Sequence, residues 1–385
     1  MPSLARPASL TILALAAVAA LPVATAGAVT PAGSAVALDT KLDRIAAAPQ
    51  GPPGLSVIVQ RGERLEYRRR GVADVRTGTR PRARQHVRIA SIAKAFSGAV
   101  ALALVSEGKL SLDDTIGERL PGLLPLANDV TLRQALGHTG GLPDYIRDER
   151  FVEKLQSDPS AYLSPRQLLG YVRDTPLRFA PGSRYEYSDT DNIIVALMAE
   201  AVTGASYEQL LERHALSPLG LDATTLPRTV RMPRPFMHGY EVAPGMPPED
   251  VTRVINPALA WASGGIVSTA VDTNRFFRGY VGGLLFDAAE RRAQRQAFRP
   301  GASSPPGPGR NAASLGLFRY RTRCGTVYGH TGSFPGYRLF AASSANGRRS
   351  VAFFVNAQIV PGQGSAKVSS LIRSAQVSAV CHALR

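Results

Sequence analysis

The chain has 385 residues, 44% of them hydrophobic, with 45 Lys or Arg against 29 Asp or Glu and a formal net charge of +16. That length suffices for a large core and two lobes. The charge concentrates in 61–84 and 291–310 without the interleaved basic and aromatic residues of a nucleic-acid surface, so a nucleic-acid partner is not expected. It reads as solubility with weak attraction to an anionic envelope, or as arginine enrichment shared with abundant Ala, Gly and Pro. The two cysteines, Cys324 and Cys381, form no short-spaced ligand cluster, and no metal or other cofactor is implied.

Residues 1–37 read as an export signal. Arg6 supplies the positive start, Leu10 to Pro22 the apolar stretch, and Ala24-Thr25-Ala26 a cleavage site, with Ala35-Val36-Ala37 as a second. The apolar run is interrupted and short for a membrane span, so secretion is expected rather than a single N-terminal anchor. In an exported chain the two cysteines suggest one disulfide, tying the C-terminal tail to the strand region around 324.

A helix is expected over 38–48, stopped by Gly51-Pro52-Pro53-Gly54. A hairpin follows, with strands over 55–60 and 65–69. The arginine-rich connection 71–84 leads to a helix over 88–108 that is apolar almost all round, which places it inside the molecule. The region 115–255 is mostly helical, with helices over 130–136, 164–173, 191–204 and 206–215 and an irregular tail over 228–250. Beyond it come a glycine-broken apolar turn over 261–268 and helices over 269–285 and 288–297. Strands are expected over 314–322, 337–343 and 350–357, the last two joined at Asn346-Gly347. A C-terminal helix covers 366–382. The early hairpin and late strands are each too small to stand alone. They complete one antiparallel sheet flanked by helices, an α+β (αβα sandwich) fold over 38–114 and 256–385, with the helical lobe 115–255 inserted. A monomer is expected.

Three short stretches carry chemistry. Ser91 and Lys94 sit three apart in the first turn of the central helix, on one face. Partial burial there favours a neutral amine able to take the serine's proton. Tyr187-Ser188-Asp189 precedes another helix, and His330-Thr331-Gly332 lies on or beside a strand. Each alone has a structural explanation, such as a cap, a buried ring or a turn. In this order and at these separations they resemble the three motifs of the penicillin-recognising serine hydrolases. The branch most similar holds the class C β-lactamases and the serine D-alanyl-D-alanine carboxypeptidases. His138-Thr139-Gly140-Gly141-Leu142 resembles the loop that family carries between its first two motifs. Cys324, six residues before His330, is most like the exported actinobacterial carboxypeptidases.

The resemblance covers about 40–382 and implies a serine β-lactamase-like fold, with roles for particular residues. Ser91 would be acylated, Lys94 would activate it, and Tyr187 would relay protons to the leaving amine. The N–H groups of Ser91 and Ser333 would form the oxyanion hole. His330 with Thr331 would hold a proton or hydroxyl donor near the substrate carboxylate, and Gly332 would let substrate lie along the strand. Trp261, the only tryptophan, falls where this branch has an aromatic wall to its cleft, or else is core. Arg319, or Arg321 next along the same strand face, would bind the terminal carboxylate of a D-alanine leaving group. His138 would order a loop rather than carry the third motif. The implied activity is D-alanyl-D-alanine carboxypeptidase action on peptidoglycan stem peptides, sensitive to β-lactam antibiotics. An esterase, a D-aminopeptidase, a β-lactamase or a penicillin-binding protein with little turnover are the alternatives. One position departs from the family pattern: Asp189 stands where Asn is expected. A carboxylate there only accepts hydrogen bonds and would hold the Lys94 proton more tightly, which implies slower acylation near neutral pH, a preference for another acyl substrate, or Tyr187 as the main base.

Overall fold

The computed structural model describes residues 31–358 and 366–385. Most of the export signal, with the Ala24-Thr25-Ala26 site, lies outside the described residues. The hairpin forms from Gly54–Arg61 and Arg64–Gly71, turning at Gly62 with φ +57°. Leu55 to Val59 are buried, with helices against both faces of their sheet, so the strand is a continuous apolar run with little alternation.

Eight strands make one sheet, in the spatial order Arg64–Gly71, Gly54–Arg61, Arg349–Val355, Tyr337–Ser343, Gly325–Phe334, Leu317–Thr322, Arg310–Ser314 and Arg299–Pro300. Every pair in it is antiparallel. The early hairpin docks on the last long strand, with Leu55 opposite Val355, so the two ends of the chain close one sheet. Helices Pro31–Ala46 and Ala366–Leu384 cover one face, burying Leu38, Leu42, Ile45, Ile372 and Ala379 against Val57, Phe340 and Phe353.

The other face meets helix Ala270–Gly282 and the central helix Ala93–Ser106, where Phe96 stacks on Phe276 at 3.6 Å between centroids. The central helix is buried from Ala93 through Leu104 because it lies between the sheet and the inserted helices. Gly98 permits its closest approach to the sheet: a Cβ there would stand 2.9 Å from Gly316 Cα. In the lobe, Thr131, Ser164 and Ser206 each close a capping box with Gln134, Gln167 and Gln209. Helix Asp189–Thr203 packs on the central helix, and Asn192 Nδ2 donates to Ser97 Oγ at 2.8 Å.

Three elements differ from expectation. The strand Gly325–Phe334 is ten residues long, although Gly325, Gly329 and Gly332 lower its β-propensity. It forms because Tyr337–Ser343 pairs along most of one edge and Leu317–Thr322 along the start of the other. The single strand expected over 314–322 is two, Arg310–Ser314 and Leu317–Thr322, folded back at Gly316 with φ +62°. The tail over 228–250 is not all irregular, since Tyr240–Glu241 pairs in parallel with Ala357–Gln358 and also with Glu249–Asp250.

The expected disulfide is present. Cys324 and Cys381, 57 residues apart, fasten the C-terminal helix to the turn before the strand that carries His330 and Ser333. Replacing both cysteines by serine is predicted to lower unfolding free energy by about 4 kcal/mol, the loop-closure entropy of a cross-link of that span. Equilibrium denaturation would measure it.

Candidate active site

Ser91 lies in the 3₁₀ turn Ala90–Ile92 that opens the central helix. Ala90 has φ +53°, a costly conformation for alanine, and it sets the direction in which the next residue leaves the strand. Gly332 is needed on the other side. A Cβ there would stand 2.5 Å from Ile89 O and 3.1 Å from Ala90 Cβ. Its smallness therefore serves the packing of the strand against the nucleophile's own backbone.

Lys94 is buried, its side chain 1% exposed, and its ammonium donates three times: to Asp189 Oδ1 at 2.6 Å, to Ser263 O at 2.9 Å and to Ser91 Oγ at 3.3 Å. All three N–H bonds are used, so in this state Lys94 is a donor to the serine. Loss of the proton facing Ser91 leaves a lone pair aimed at Oγ, with the other two bonds intact. Nζ also stands 4.9 Å from the centre of the Tyr187 ring.

The Tyr187 hydroxyl is buried and points toward Ser91, close enough to be felt by it but without a well-formed hydrogen bond among the described residues. Burial and the nearby Asp189 hold this phenol well above its usual range, so it is neutral. A neutral phenol there is a hydrogen-bond donor facing the cavity. His138, with φ +54°, packs its ring 4.6 Å from that of Tyr187 and shares a 2.6 Å hydrogen bond with Asp191 Oδ2. Burial lowers His138 to about 3 and raises Asp191, so the pair is neutral. As expected, His138 orders a loop: its carbonyl accepts from Glu186 N at 2.9 Å.

His330 is buried with its ring 6.3 Å from that of Tyr187. Its Nδ1 donates to Thr331 O, leaving Nε2 as a bare acceptor with no partner among the described residues. Burial lowers it to about 3, so the third motif contributes a neutral imidazole. Ser333 lines the cavity with Ser91. Phe334 and Tyr337 close a two-residue turn, and alternation along the ladder then points the Ser333 N–H to the opposite edge. Ladder pairing on that edge ends at Gly329, so among the described residues this N–H is left to donate to an oxyanion.

Of the expected site residues, Lys94, His330, Thr331, Gly332, Trp261 and Arg319 do not line the cavity, Lys94 and His330 lying buried behind it. Thr331 is 1% exposed, and its hydroxyl meets Ser303 Oγ at 2.7 Å and Pro305 O at 2.6 Å, fixing the loop beside the cleft. Trp261 is core, 6% exposed, edge-on to Tyr207 at 5.2 Å. Arg319 lies over the Phe298 ring at 4.7 Å, with Arg321 beside the same separate hollow. The guanidiniums at the cavity are instead those of Arg338, Arg373 and Arg147. The cavity, about 540 Å³, is lined by Ser91, Tyr187, Ser333, Arg338 and Arg373, and by Asp144, which sequence reasoning also missed. Asp144 follows the 138–142 loop, and its Oδ1 accepts from Asp189 N at 3.1 Å. Only its place after that loop could have signalled it.

A family model described as Beta-lactamase matches residues 42–368. The chain therefore belongs to the Beta-lactamase family of serine hydrolases, with the fold that penicillin-binding proteins share. It is similar to the "Putative penicillin-binding protein PbpX" of Bacillus subtilis, 25% identical over 311 residues, covering 80% of this chain and 71% of that protein. Among solved structures, a D-stereospecific amidohydrolase from Streptomyces superposes with a TM-score of 0.76 and 28% identity, over 87% of this chain and 97% of the other. The D-amino acid amidase of Ochrobactrum anthropi SV3 shares the fold, with a TM-score of 0.77 and 23% identity over 90% and 98%.

Asp189→Asn removes the carboxylate that holds the Lys94 proton while keeping a hydrogen-bonding side chain. Acylation of Ser91 at pH 7 is predicted to rise by about tenfold, equivalent to ~1.4 kcal/mol. Stopped-flow acylation rates would test this, and identical rates for the two proteins would refute it.

Proposed function

We propose that the protein is a D-stereospecific serine amidohydrolase of the D-aminopeptidase kind, acting through an acyl-enzyme on Ser91. The observation that carries this is the cavity in which Ser91, bonded to Lys94, meets the Tyr187 hydroxyl and the Ser333 N–H that strand pairing leaves unused among the described residues. The likeness to the Streptomyces D-stereospecific amidohydrolase supports the class of substrate. Ser91 Oγ gives its proton to the neutral form of Lys94 and attacks the amide carbonyl. The developing oxyanion takes hydrogen bonds from the N–H groups of Ser91 and Ser333, the first of which lies in a helical first turn with no acceptor to lose. As the C–N bond breaks, the proton returns through Tyr187 to the amine nitrogen. Water then attacks the ester, releases the acid and restores Ser91.

A second reading is D-alanyl-D-alanine carboxypeptidase action on peptidoglycan stem peptides, with β-lactam antibiotics as acylating ligands. Arg338 and Arg373 at the cavity favour it, since guanidiniums suit a terminal carboxylate. Either activity fits a secreted enzyme. Cleavage after Ala26 would leave helix Pro31–Ala46 whole, whereas cleavage after Ala37 would cut it and remove Ser34, which is bonded to His382 at 2.9 Å.

The test is hydrolysis of D-alanine p-nitroanilide by the purified mature protein, with the L-isomer and Ser91→Ala as controls. Turnover of the D-isomer should exceed that of the L-isomer by about tenfold or more and fall at least about a thousandfold in the variant. Equal rates for the two isomers, or an active Ser91→Ala, would overturn the reading.

A further inference from the structure

The cavity is lined by a buried carboxyl, Asp144, and by a pair of guanidiniums, Arg338 and Arg373. Asp144 sits next to the catalytic chain of hydrogen bonds, through Asp189 and Lys94 to Ser91. Its side chain is 7% exposed, and its nearest cation is the largely exposed Arg147, with Nε 3.9 Å away. Arg338 stands opposite Ser333 on the neighbouring strand, 7% exposed, with Nη1 donating to Ser369 Oγ at 2.9 Å. Arg373 follows Ser369 by one helical turn on the C-terminal helix and faces the same cavity.

Burial and the neighbouring Arg373 lower Arg338 to about 10, so the two cations repel one another. No Asp or Glu forms an ion pair with either among the described residues. The stretches 1–30 and 359–365 contain no Asp or Glu that could do so. Two close guanidiniums, one of them buried, are costly without an anion. The same cavity is lined by Tyr187, whose buried hydroxyl makes no well-formed hydrogen bond among the described residues.

Resting on the proposed amidohydrolase activity, we infer that this cleft takes a short zwitterionic peptide, a free D,D-dipeptide. Its ammonium would lie at Asp144, its scissile carbonyl at Ser91, and its carboxylate at Arg338 and Arg373. The N-terminal residue becomes the acyl group on Ser91 and the C-terminal residue leaves as a free amino acid. Water then releases the first, so one peptide and one water yield two amino acids. In the empty site, burial and Asp189 push the Asp144 carboxyl up to about 8, and an arriving ammonium would favour its ionised form.

The experiment compares kcat/KM for D-Ala-D-Ala, N-acetyl-D-Ala-D-Ala and D-Ala-D-Ala amide. Each blocked peptide is expected to be at least about tenfold poorer than the free dipeptide, the loss of one charge-assisted contact. Arg373→Gln, at an exposed helix position, should erase the preference for the free carboxylate while retaining that for the free amine. Asp144→Asn should do the reverse, mainly through KM. If the acetylated peptide is cleaved as well as the free one, the dipeptide inference falls in favour of a carboxypeptidase. If the amide is cleaved as well, it falls in favour of an aminopeptidase or amidase. In both cases Ser91-dependent cleavage of D-substrates would still stand, whereas turnover of none of the three, together with no cleavage of the p-nitroanilide, would overturn the proposed activity too.

Discussion

The buried ammonium of Lys94 is the interaction on which the rest of the site depends. A charge taken this far from water is tolerated only when it is paired and its hydrogen bonds are met. Its three acceptors come from three separate parts of the chain: the turn that opens the central helix, the helix Asp189–Thr203 of the inserted lobe, and the short turn Trp261–Gly264. One cation thus fixes the lobe against the sheet domain at the point where the nucleophile sits. The stretch over 187–192 is itself held on both sides, within the lobe and to the central helix. Thr190 Oγ1 donates to Pro143 O, Asp191 holds His138, and Asn192 reaches Ser97 on the central helix.

Around that cation the remaining titratable groups are held uncharged. Burial keeps Tyr187, His138, Asp191 and His330 in their neutral forms. Ser91 thus faces a site in which the Lys94–Asp189 pair is the buried charge nearest to it among the described residues. The neutral imidazole of His330 offers a lone pair near Tyr187 and adds no second positive charge beside Lys94. The positive charge that substrate would meet is displaced to Arg338 and Arg373, beyond Ser333.

Much of this was legible in the sequence, because the motifs are local. Ser91 and Lys94 share a helical turn, Tyr187 and Asp189 flank a helix start, and His330 and Ser333 share a strand. The chain order of helices and strands carried the fold for the same reason. The rest depends on side chains that meet only after folding. Arg338 becomes a site residue because strand pairing sets it opposite Ser333, and Arg373 because the C-terminal helix returns across the sheet. Arg319 was the sequence candidate, yet its strand turns it toward Phe298. Trp261 and Thr331 looked functional by position, while tertiary packing claims both. Asp144 carries no motif of its own and is placed by the Asp189 N–H.

The most direct test of the account is acid-quenched mass spectrometry during turnover of a D-alanine ester, followed by peptide mapping. The account predicts one added D-alanyl group per chain, on Ser91 and on no other residue, which disappears as substrate is exhausted. Continued turnover with no covalent adduct, or an adduct on another residue, would contradict it.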